Sequence, residues 1–124
     1  MNNINGNMAG KKYVLSAMVL PFPAEDSKGV FYVERVNLET AKMFVADKNF
    51  ISAVGHESTA KLISELLKVE IPANRIAVWM KPGDKALCVQ FLERVAEGKV
   101  LTYDELKKMY DDGKIRFVIL ERII

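Results

Sequence analysis

Val54-Gly55-His56-Glu57-Ser58-Thr59-Ala60-Lys61-Leu62-Ile63-Ser64-Glu65-Leu66-Leu67-Lys68 is the stretch on which the fold turns. Leu62, Ile63, Leu66 and Leu67 recur at helical spacing while Lys61, Glu65 and Lys68 face away, so the pattern predicts an amphipathic helix laid on a core. Ser58 or Thr59 supplies an ordinary hydroxyl cap at its start, and Pro72 and Asn74 punctuate its end.

Working outward, Tyr13–Leu20 is a nearly continuous apolar run, which predicts a strand buried on both faces and ended by Pro21 and Pro23. Ala24–Gly29 is polar loop, and Val30–Val36 is β-branched and aromatic, a second strand. Asn37 is placed to cap a short helix over Leu38–Asp47. Phe50–Val54 is too short for its pattern to separate strand from helix. Beyond the central helix, Arg75–Lys81 reads as a strand with Ile76, Val78 and Met80 on one face. Pro82-Gly83-Asp84 is a turn signal, and Lys85–Leu92 is expected to return as the antiparallel partner. Thr102, with Glu105 three residues on, is a capping box for a helix through Tyr110, which Gly113 stops before a last strand at Ile115–Leu120. The sum is a small single α/β (α+β) domain over residues 12–124, with a mixed sheet of about five strands flanked by helices. Residues 1–11, rich in Asn and Gly, are expected to form a flexible tail.

A chain of 124 residues is long enough for one domain with one real core. Its net charge of +2 means that any polyanionic ligand must be met by local donors rather than bulk charge. A lone cysteine, Cys88, excludes an intrachain disulfide and fits a reducing cytoplasm; within Ala86-Leu87-Cys88-Val89 it reads as a small buried hydrophobe. One histidine and one cysteine argue against a structural zinc site, so no metal or cofactor is expected. Lys11-Lys12 followed by an apolar run resembles a secretory signal superficially, but the run is short, ends in Pro21-Phe22-Pro23 and lacks an Ala-x-Ala site. No run approaches the about 20 apolar residues of a membrane-spanning helix. These features predict a cytoplasmic protein without a membrane partner.

His56 brings the one side chain whose ordinary pKa suits proton transfer near neutrality to a helix N-terminus, where unpaired N–H groups and a partial positive charge seat anions. Gly55 permits close backbone approach, and Ser58 and Thr59 add hydroxyls in the same volume. Taken singly, each is an ordinary cap or surface residue. Gln90 is a polar residue inside an apolar run, so it points to solvent or has a specific partner. Arg94 and Glu97, by themselves, are an i,i+3 surface ion pair, and Arg75 a solvated edge residue.

Gly55-His56-Glu57-Ser58-Thr59 with Leu62-Ile63, then Asn74-Arg75, Val89-Gln90, Arg94, Glu97-Gly98-Lys99-Val100-Leu101-Thr102 and Gly113-Lys114, resembles the viral ring nucleases. These are type III anti-CRISPR proteins of archaeal viruses and bacteriophages, with homologues in bacterial mobile elements. The resemblance runs from about Tyr13 to the C-terminus. It implies a homodimer that binds cyclic tetra-adenylate, a second messenger of type III CRISPR defence, and cuts it without metal. By the same resemblance His56, Arg94 and Glu97 fall on catalytic positions, and Gly55, Ser58, Thr59, Arg75 and Gln90 on ligand-contact positions. Ser16 stands where the family usually bears Asn in a Leu-x-Asn-Ala context, so its hydrogen-bonding reach toward ligand is shorter.

Two alternatives come from other classes. One is a protein that sequesters cyclic oligoadenylate without turnover. The other is a dimeric nucleic-acid-binding regulator of a mobile element, against which the modest charge and the absence of a basic helix weigh, so no duplex nucleic acid is expected as partner.

Overall fold

Ala86, Leu87, Cys88 and Val89 follow one another along the chain and all four are buried, which a strand allows only inside a sheet covered on both faces. The computed structural model describes residues 10–96 and 98–124. Its sheet comprises β1 (Lys12–Leu15), β2 (Phe31–Val36), β3 (Ile51–Ala53), β4 (Lys85–Phe91) and β5 (Ile115–Arg122), in the order β2-β5-β4-β1-β3. β1 runs parallel to β3 and β4, while β5 is antiparallel to β4 and β2. Three helices, α1 (Leu38–Val45), α2 (Glu57–Leu67) and α3 (Tyr103–Asp111), complete the described residues. This is the small α+β domain with a mixed five-stranded sheet that the sequence patterns predict.

The two faces of the sheet carry two cores. Val14, Leu87, Val89, Ile115 and Phe117 pack beneath the helices, against Ala41, Val45, Ala60, Ile63, Leu67 and Leu106. The opposite residues, Tyr13, Leu15, Ala86, Cys88, Val118 and Leu120, are covered without any helix; Met80 is fully buried on them, with Met18, Phe31 and Val78 alongside. A strand alternates its side chains between faces, so the helical layer and this irregular layer divide each strand residue by residue.

Capping of α1 and α3 follows the sequence closely. Asn37 Oδ1 accepts from the Thr40 N–H at 2.9 Å at the start of α1. Thr102 and Glu105 bond reciprocally, Glu105 N to Thr102 Oγ1 at 3.2 Å and Thr102 N to Glu105 Oε1 at 2.9 Å. Gly113, with φ 77°, ends the chain's turn out of α3.

Three expectations are corrected. β1 ends at Leu15, not Leu20: Leu15 pairs with Ala53, where β3 stops, and with Cys88, beyond which β4 runs on to Phe91 paired only with β5. Val19 and Leu20 beyond are 59% and 56% exposed. Arg75–Lys81 is not a strand, and Lys85–Leu92 is not its hairpin partner. Both edges of β4 are taken, by β1 and β5, so no third strand can pair with it. The fifth strand is instead Ile51–Ala53, inside the segment whose pattern left strand and helix open. The expected tail at 1–11 lies mostly on residues 1–9, outside the described residues; Lys11, inside them, donates its backbone N–H to Asp84 Oδ1 at 2.9 Å.

The irregular layer is pinned by two buried charges that the sequence gives no sign of. Arg122 is 3% exposed. Its Nη1 donates to Asp26 Oδ2 at 2.7 Å and to Met80 O at 2.8 Å, and its guanidinium stacks 5.2 Å from Phe22 and 5.8 Å from Phe31. Asp84, also buried, accepts from Lys81 N at 2.8 Å. Paired and hydrogen-bonded in this way, a buried charge holds its neighbours in one arrangement. Here it fastens the 21–29 loop and the 75–81 segment to the end of β5.

Candidate functional site

The three parallel strands β4, β1 and β3 end on one side of the domain, and open α/β sheets bind ligands in the crevice outside such carboxyl ends. Ser16 follows β1, Gly55-His56 follow β3 and lead into α2, and Gln90 lies at the end of β4. Topology thus places at one end of the sheet residues that lie up to 74 positions apart, from Ser16 to Gln90.

His56 is itself the N-cap residue of α2, in extended conformation and without a side-chain cap bond. Its carbonyl accepts the first helical bond, from Ala60 N at 3.0 Å. The N–H groups of Glu57, Ser58 and Thr59 precede that bond and have no acceptor within the helix. The expected hydroxyl cap is absent: Ser58 Oγ donates to Leu101 O at 2.8 Å, drawing the loop before α3 onto the helix start, and Thr59 is buried. His56, Ser58, Thr59 and Lys99 line the polar side of a depression of about 150 Å³, with Phe91, Val95, Leu101 and Leu106 among its apolar residues. Lys99, to which the capping box drew no attention, pairs with Glu105 Oε2 at 2.9 Å. The Thr102 backbone N–H, and then Lys99, hold the Glu105 carboxyl down at about 2.

Arg75 reaches the same end from the irregular layer. Ser52 Oγ donates to Pro72 O at 2.6 Å, Asn74 Nδ2 to Ser52 O at 2.7 Å and Asn74 N to Val54 O at 2.7 Å. These bonds lash the chain to β3, so that Arg75 Nε lies 3.6 Å from where a Cβ on Gly55 would stand. The guanidinium stem therefore lies against the residue before His56. Ser16 lies apart from the His56 depression, in a second one of about 160 Å³ formed with Leu15, Ala53, Ile76 and Val78.

Of the two alternatives the sequence left open, the structure gives Gln90 a specific partner: its Oε1 accepts from Arg35 Nη2 at 3.1 Å. Arg94 is exposed on the irregular chain after β4, one residue before Val95, which lines the His56 depression. Arg94 makes no ion pair among the described residues. Glu97 lies outside the described residues. The structure thus gathers His56, Ser58 and Thr59 and sets Gly55 and Arg75 beside them, while Ser16 lies in the second depression, Gln90 on the sheet face away from the helices and Arg94 on the exposed chain after β4. Among the described residues no group of three or more His, Cys, Asp or Glu side chains is placed to hold a metal ion, and no helix is long and apolar enough to cross a membrane.

A family model described as STIV B116-like matches residues 12–117. Uncharacterized protein 26 of Sulfolobus islandicus filamentous virus is 39% identical over 99 residues, which are 78% of this chain and 82% of that protein. Uncharacterized protein ORF117 of Acidianus two-tailed virus is 40% identical over 98 residues, 77% of this chain and 82% of that protein. Among solved structures, B116 of Sulfolobus turreted icosahedral virus superposes with a TM-score of 0.65 at 30% identity, covering 90% of this chain and 99% of that one.

Proposed function

The chain belongs to the STIV B116-like family, a family with members in archaeal viruses, and from that premise and the site's geometry we propose that it is a metal-independent ring nuclease that opens cyclic tetra-adenylate and so silences type III CRISPR immunity. The observation that carries this proposal is the placement of His56 at the uncapped N-terminus of α2, with free N–H groups on one side and Arg75 on the other. Such a seat suits a phosphodiester.

RNA brings its own nucleophile. The ribose 2′-oxygen attacks the adjacent phosphorus, the P–O2′ bond forms, and the P–O5′ bond breaks. His56 donates a proton to the departing O5′, a contribution of about 10²–10⁴ in rate. The α2 N–H groups, with Arg75 and Arg94, balance charge on the non-bridging oxygens. Glu97 either accepts the 2′ proton or orients the imidazole while solvent water takes that proton. Two such cuts release linear di-adenylates ending in 2′,3′-cyclic phosphate.

A second copy of the chain completes the proposal. A four-fold ring of adenosines contains a two-fold axis, which a homodimer matches by presenting one surface twice. Support comes from the exposed apolar side chains beside the Ser16 depression: Val19, Leu20, Ile76 and Trp79 are each 45–59% exposed. Incubation with cyclic tetra-adenylate in excess chelator is the test. Linear di-adenylates are expected, and intact ring after prolonged incubation overturns the proposal. The exposed position of Arg94 favours one alternative, sequestration without turnover, which the same incubation reads as bound but uncut ligand.

A further inference from the structure

On the sheet face away from the helices, Gln90 of β4 stands directly opposite Arg116 of β5, and Arg35 of β2 lies opposite Val118, two residues along the same face. Arg35 crosses the whole width of β5, about 9–10 Å from strand to strand, to place Nη2 3.1 Å from Gln90 Oε1. A guanidinium carries only donors. The atom of Gln90 that meets it must therefore be the carbonyl oxygen, and the amide orientation is decided by chemistry. The amide nitrogen is left with two hydrogens and no partner among the described residues. Neither Arg35 nor Arg116 has a carboxylate within ion-pair reach among those residues.

We propose that Arg35 is a positioning residue for the ligand site: it locks the Gln90 amide with its N–H groups turned outward, to donate to a phosphodiester oxygen of the bound ring. The proposal rests on the ring-nuclease reading above and adds to it a residue on β2, the strand farthest in the sheet from β3, which leads into His56. Without Arg35 the amide is free to turn its oxygen toward the phosphate, and a donor becomes a repelling acceptor. A carboxylate at position 90 keeps the bond to Arg35 but has no donor to offer, so Gln90→Glu separates the presentation of a donor from mere shape.

The experiment measures KM, kcat and equilibrium binding of cyclic tetra-adenylate for the full chain and for Arg35→Ala, Gln90→Ala, the double variant and Gln90→Glu. Arg35 is exposed, so thermal unfolding of Arg35→Ala is expected to match the parent. Loss of one hydrogen bond predicts about three- to tenfold weaker binding and higher KM in each single alanine variant, with kcat unchanged. The double variant is expected to be no worse than the weaker single one, and Gln90→Glu to bind less well than Gln90→Ala. Unchanged KM in Arg35→Ala, multiplicative losses in the double variant, or Gln90→Glu binding as the parent does each overturn the proposal. A parent chain that neither binds nor cuts the ring overturns the ring-nuclease reading instead, and this proposal with it. A parent that binds without cutting leaves the binding comparison to decide.

Discussion

Arg75 lies alongside Gly55: its Nε is 3.6 Å, and its Cγ 3.9 Å, from the place where a Cβ on Gly55 would stand. These are ordinary van der Waals separations, and Gly55 is not among the positive-φ glycines. The glycine therefore serves the neighbouring guanidinium rather than a special backbone. Gly55→Ala is expected to fold and to keep KM within about twofold, whereas Gly55→Leu displaces the Arg75 stem and raises KM while leaving the unfolding midpoint nearly unchanged. Steady-state kinetics with thermal melts check this pair, and equal KM in both variants refutes the placement of Arg75.

His56→Ala removes the proton donor that the ring-nuclease proposal assigns and little else, since the imidazole makes no cap bond. Cleavage is expected to fall by about 10²-fold or more, with binding of the ring retained. Single-turnover cleavage beside a binding titration separates the two, and undiminished cleavage removes His56 from the mechanism.

Arg122 and Asp26 hold the irregular layer. Arg122→Met leaves the Met80 carbonyl and Asp26 without their partner, and a loss of about 3–5 kcal/mol is expected from chemical denaturation. Asp26 is 30% exposed at its side chain, so water screens part of the pair and Asp26→Ala is expected to cost about 1–2 kcal/mol. Equal costs for the two would contradict the picture of a buried arginine serving several acceptors.

Glu105 titrates far below its ordinary value of 4.5, at about 2, because the charged carboxylate accepts the Thr102 N–H and pairs with Lys99. A carboxyl depressed in the folded chain contributes stability above its unfolded pKa and loses it as pH falls through the folded value. The start of α3 is therefore expected to weaken between about pH 4.5 and pH 2. Carbon-detected titration by NMR reads the midpoint directly. Lys99→Ala is expected to move it upward, and an unmoved midpoint dismisses the ion pair.

Cys88 is fully buried, and burial pushes its thiol up to about 12. Native protein at pH 8 is expected to resist a thiol-alkylating reagent that modifies it at once in denaturant. Rapid modification of the native chain at pH 8 would show that the sheet opens far more readily than this packing allows.

The helix that follows His56, the Asn37 cap and the Thr102–Glu105 box were all legible in the sequence, because each depends on residues within one or two turns of one another. The mixed sheet and the burial of Cys88 were legible as well, from the density of apolar residues. Strand pairing was not. Ile76, Val78 and Met80 alternate as a strand does, yet β4 already has a partner on each edge, and that is a fact about Lys12–Leu15 and Ile115–Arg122 rather than about residues 75–81.

Local periodicity and capping chemistry, then, are determined by the sequence itself, and they place His56 at a helix start with no reference to the rest of the chain. Only the tertiary structure decided which residues surround it. Arg35 finds Gln90 across 55 positions of sequence, Ser58 finds Leu101 across 43, and Arg122 finds Asp26 across 96. Such pairs form when strands choose their edges, and that choice is settled by the burial of the whole sheet between its two layers.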